Sequence, residues 1–136
     1  MIALLTINFP HLITHLDGNE KPVSYAIHMG FTELDKYMSE NVNPEDILLA
    51  KYYARYARFY EEPKFAHIHE TSYDESLIKN NESGWIVIDE TRYWSYREKL
   101  LQKNFYLGET KIEYRGEFPD PISGLSNYVW YWDNMP

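Results

Sequence analysis

The chain has no cysteine, which excludes disulfides, zinc–thiolate sites and thiol nucleophiles outright. It also lacks any apolar run long enough to span a bilayer. Residues 2–5 are apolar, but Asn8, Pro10 and His11 end the run without a basic segment before it or a cleavage site after it. No GxSxG elbow, Walker A loop, dinucleotide-binding glycine fingerprint or HExxH pair is present, so the common signatures of hydrolases, nucleotide enzymes and zinc peptidases are missing. Positive charge is scarce too: 13 Lys and Arg stand against 21 Asp and Glu. Duplex nucleic acid is therefore a poor direct ligand, because phosphate binding needs clustered cations.

What is present is aromatic and acidic. Thirteen Tyr, four Trp and six Phe in 136 residues suit a packed globule rather than a disordered chain. The length suits a single α+β domain over residues 1–136, with a mostly antiparallel sheet and about three helices. A chain free of cysteine and without a leader suits the cytoplasm. The net charge of −8 is unevenly placed: residues 61–90 carry eight acids and two lysines, so −6 of it sits in thirty residues.

Residues 44–60, PEDILLAKYYARYARFY, read as the principal helix. Asn43 is placed to cap it, Pro44 suits its first turn, and Glu45 and Asp46 face the positive end of its dipole. Lys51, Arg55 and Arg58 would share one face, beside a stripe of Leu48, Tyr52 and Phe59. They would receive an anion or pair with the chain's own acids between 61 and 75. Before this helix we expect a strand over 2–8, a hairpin from 11–16 and 23–29, and a short helix over 32–40. After it we expect a half-exposed strand over 65–71, an acidic loop over 72–83 with room for a turn of helix, a strand over 85–88 and a third helix from Thr91. Gly108-Glu109 predicts a type II′ hairpin between 105–107 and 111–114. Residues 116–127 read as a long broken loop, and 128–132 as a final aromatic strand with both faces apolar enough to suggest a surface or a homodimer contact.

Two constellations carry chemistry. His67-x-His69 puts two imidazoles on one side of a strand, and Asp74, with Glu70 and Glu75 nearby, would complete a divalent-metal site. That is the basis of a reading as a metal-dependent or small-ligand-binding enzyme. The other is the acidic segment itself. Glu70, Asp74, Glu75 and Glu82, with Tyr73 and Trp85 as aromatic anchors, would present negative charge to a basic protein. In size, charge and lack of a catalytic motif the chain is similar to bacterial immunity proteins and to phage anti-defence proteins such as anti-CRISPRs. This likeness implies a non-enzymatic inhibitor of a nuclease toxin or of a nucleic-acid-binding defence complex, with no cofactor.

Overall fold

The computed structural model describes residues 31–58, 64–90, 102–119 and 124–134. The fold is α+β. Its first described helix, α1 (Phe31–Asn41), turns Phe31, Leu34 and Met38 inward at helical spacing, and Asn41 closes it by donating from Nδ2 to the Tyr37 carbonyl at 2.7 Å. The expected short helix over 32–40 is thus present. Asn43 and Asp46 then form a tight turn. The Asp46 N–H donates to the Asn43 carbonyl at 2.9 Å, and the Asn43 N–H donates to the Asp46 carboxylate at 2.9 Å.

The long helix over 44–60 does not form. Ile47–Ala50 is instead a strand, β1, with all four residues buried, and the helix shrinks to α2 (Tyr52–Ala57). A strand covered on both faces has no polar alternate positions, so it reads as a plain apolar run that periodicity cannot distinguish from buried helix. Phe59 and Tyr60 lie outside the described residues.

The remaining elements are β2 (His67–Glu70), α3 (Glu75–Asn80), β3 (Ser83–Asp89), β4 (Phe105–Leu107), β5 (Thr110–Pro119) and β6 (Ser126–Asp133). They make a six-stranded sheet in the order β2-β1-β3-β6-β5-β4. The sheet is mixed rather than wholly antiparallel: β1 runs parallel to β2 and to β3, whereas β3–β6, β6–β5 and β5–β4 are antiparallel. The expected acidic loop over 72–83 contains α3, whose N-cap is Asp74. The expected loop from 116 is, through Pro119, a continuation of β5 past a bulge at Gly116, where φ is +147°. The β4–β5 hairpin is as expected, with Gly108 at φ +63° and Glu109 without a positive φ, the pattern of a type II′ turn.

Each face of the sheet has its own core. α1 and α2 cover Leu48, Ala50, Trp85, Val87 and Val129. On the other face, Ile78 of α3 and Phe105 pack on Ile47, Leu49, Ile86, Ile88, Ile112, Trp130 and Trp132. The two crossovers β1–α2–β2 and β2–α3–β3 therefore lie on opposite faces. β6 sits between β3 and β5 with Trp130 and Trp132 buried, so these two indoles belong to the core. Among the described residues, no helix is long and apolar enough to cross a membrane. The expected strand over 2–8, the hairpin over 11–29 and the helix from Thr91 lie outside the described residues.

Candidate functional site

Among the described residues β2 forms one edge of the sheet, and its alternation separates two sets of side chains. Its register with β1 puts His67 beside Ile47 and His69 beside Leu49, while Ile68 and Glu70 turn to the face carrying α2. Arg55 of α2 and Arg58, its C-cap, overhang that second face. Arg55 Nε donates to Glu70 Oε2 at 3.1 Å, with Nη2 at 3.0 Å from the same oxygen, and Arg58 Nη1 donates to Oε1 at 3.0 Å. Arg58 Nη2 also donates to the Ile68 carbonyl at 3.3 Å. The hydrogen bond from Arg55 leads in holding the Glu70 carboxyl below its ordinary value, with Arg58 adding to it against the effect of burial. Of the two readings of the basic helix face, the chain's own acid is the one that Arg55 and Arg58 meet here. Lys51 stands apart from this pair, half-buried at the N-cap position of α2, with no side-chain cap bond.

The metal set of His67, His69 and Asp74 does not come together. The imidazole rings are neighbours, with centroids 6.2 Å apart, but Glu70 points to the opposite face. Asp74 is occupied as the cap of α3, accepting from the Leu77 N–H at 3.1 Å, and Glu75 accepts from the Tyr73 hydroxyl at 3.3 Å. Among the described residues no group of three or more metal-capable side chains converges.

The acidic face is arranged around α3. Glu82 is exposed, Asp74 and Glu75 half-exposed, and Lys79 is the one cation in the stretch 74–82. Tyr73 is half-buried beside Phe105, its ring centroid 6.4 Å away; burial, and then the neighbouring Glu75 carboxylate, raise its hydroxyl pKa well above the ordinary value. Trp85 does not belong to this surface. It is 1% exposed in the middle of β3, and its indole N–H donates to Asp46 at 2.9 Å.

That bond belongs to a polar network that sequence reasoning missed. The fully buried Asp46 carboxylate accepts from the Asn43 N–H, the Ser83 hydroxyl and the Trp85 indole, so three neutral donors satisfy one buried charge. Next to it, the Arg115 guanidinium lies over Trp85 and Tyr131, 5.2 and 4.9 Å from the ring centroids. Arg115 Nη1 donates to the Tyr37 hydroxyl at 3.3 Å, and Nε lies 2.7 Å from Glu113 in an ion pair that is not aligned as a hydrogen bond. Burial pulls the Arg115 pKa down, but the Tyr37 hydroxyl and the Glu113 carboxylate outweigh it and the net shift is upward. Burial also raises the Tyr131 hydroxyl, helped by the charges of Asp46 and Asp133. The local signal for this network was the Asn43-x-x-Asp46 spacing of a side-chain-closed turn, which the helix reading had absorbed as a cap.

Comparison with protein-family models, with curated proteins and with solved structures gives no significant match.

Proposed function

We propose that the protein is a non-catalytic inhibitor that binds a basic protein partner, a nuclease or a nucleic-acid-binding defence complex, through the acidic face around α3. The observation that carries this reading is the concentration of carboxylate on one short crossover: Asp74, Glu75 and Glu82 against Lys79, within a segment that holds −6 of the chain's −8. Such a face steers a cationic partner toward it and rejects nucleic acid. Tyr73 supplies aromatic contact area at its margin. Glu70 contributes less than its charge suggests, because Arg55 and Arg58 already neutralise it. Trp85, being buried, contributes nothing directly.

The test is affinity capture of the tagged chain from a host lysate, washed at low and at high salt, beside a Glu75→Lys/Glu82→Lys variant. Asp74 is left in place, because reversing it would also remove a helix cap worth about 1 kcal/mol. The expected result is one stoichiometric basic protein that the wild type holds at low salt and releases at high salt, and that the variant fails to capture although its melting temperature is unchanged. Equal capture by the variant, or a partner indifferent to salt, would overturn the reading.

A further inference from the structure

We propose that His67 and His69 form a two-imidazole chelate for a late first-row divalent cation, with copper(II) taken most tightly. The site is independent of the inhibitor reading. Both residues lie on the same face of the edge strand β2, where alternate side chains stand about 6.6 Å apart at their Cα atoms. Their ring centroids are already 6.2 Å apart, with the planes inclined by 49°. Metal–nitrogen bonds of about 2.0–2.1 Å to one shared ion require the rings to close by about 1–2 Å, within reach of side-chain rotation at exposed His67 and half-buried His69.

The surroundings favour two neutral nitrogen ligands over a carboxylate-rich site. Within the described residues no side-chain hydrogen bond or ion pair competes for the ring nitrogens of either imidazole, and the rings meet each other. The nearest acid in sequence, Glu70, is directed away and clamped by Arg55 and Arg58. The acids that follow, Asp74 and Glu75, are engaged locally by Leu77 and Tyr73. A pair of imidazoles without carboxylates selects copper, nickel and zinc over magnesium and calcium, and copper leads that series. The remaining coordination positions fall to water.

The experiment titrates copper(II) alone into the full chain and reads nitrogen coordination by electron paramagnetic resonance, with His67→Ala, His69→Ala and Glu70→Gln alongside. The wild type is expected to bind one equivalent through two nitrogens. Each histidine variant should bind about a hundredfold more weakly, because joining two ligands on one strand makes the second bond intramolecular. Glu70→Gln should leave affinity unchanged, and nickel(II) should bind more weakly than copper(II). Wild-type affinity in either histidine variant would assign the copper to His11, His15 or His28 and overturn the proposal. So would single-nitrogen ligation in the wild type, or a loss in Glu70→Gln as large as that in the histidine variants.

Discussion

Glu70 stands between two guanidinium groups, each 3.0 Å from one of its oxygens, and this placement makes it the clearest proton-linked residue of the described chain. The arginines favour the ionised carboxyl, so its folded-state pKa lies below the ordinary value of about 4.5. A depressed folded pKa contributes stability above the unfolded pKa, and that contribution is lost as pH falls through the folded value. The window is therefore below about pH 4.5, and the effect is screened by salt because both arginines are largely exposed. Glu70→Gln lacks this dependence. In urea unfolding, the wild type should exceed the variant by a constant margin from pH 7 down to about 5, and the margin should close as pH falls further. A margin unchanged at pH 3 would show that the two arginines do not stabilise the carboxylate. Asp46 differs in its partners, which are neutral donors, and through Ser83 and Trp85 it locks β1 onto β3.

The elements explain which parts of this fold were legible. α1, β2, β3, the β4–β5 hairpin and β6 each carry a local pattern: helical spacing in α1, alternation in β2, β-formers in β3 and β6, and a glycine turn in the hairpin. β1 has no local pattern, because the cores on the two sides of the sheet bury both its faces. α3 was legible only as a turn of helix within a polar loop, although Asp74, Glu75 and buried Ile78 form a short cap-and-core signature. The site divides in the same way. The acids around α3 and the pairing of Arg55 and Arg58 with a nearby carboxylate follow from charge and spacing. The Asp46 network does not, because Ser83 and Trp85 lie 37 and 39 residues away in sequence. The burial of Trp85 was equally hidden, since an aromatic on a strand looks the same whether it serves core or surface. Strand-to-strand packing leads to a direct test at Gly84, which faces Trp132 across the β3–β6 pair. A Cβ there would lie 2.3 and 2.6 Å from two carbons of the Trp132 ring and 2.8 Å from the Ile47 carbonyl oxygen. Neither a buried indole nor a strand carbonyl moves freely, so Gly84→Ala should cost about 1–3 kcal/mol by urea unfolding, with altered near-ultraviolet dichroism from Trp132. A variant as stable as wild type would mean that β6 packs less closely on β3 than described.

At the scale of the molecule, a parallel β–α–β–α–β unit and an antiparallel β6–β5–β4 unit meet at one strand pair, β3 against β6. Stability should therefore be highest at that junction and fall toward the two edges. In hydrogen exchange, amides of β1, β3 and β6 should open only with global unfolding, whereas β2 and β4, paired on one side within the described residues, should open locally. A second connection crosses the sheet end at Asn134. Its Nδ2 donates to the Ile78 and Asn81 carbonyls at 2.8 Å each, its backbone N–H donates to the Glu82 carbonyl, and its Oδ1 accepts from the Thr110 hydroxyl. The residue after β6 thus holds the end of α3 against β5. Removing its side chain by Asn134→Ala deletes three of these bonds, each worth about 1 kcal/mol net, or about tenfold in a local opening constant per 1.4 kcal/mol. Exchange should then accelerate at least about tenfold over residues 75–82 while α1, in the core on the other face, keeps its wild-type rates. Uniform acceleration across both helices would mean that the two faces open together rather than as separate units.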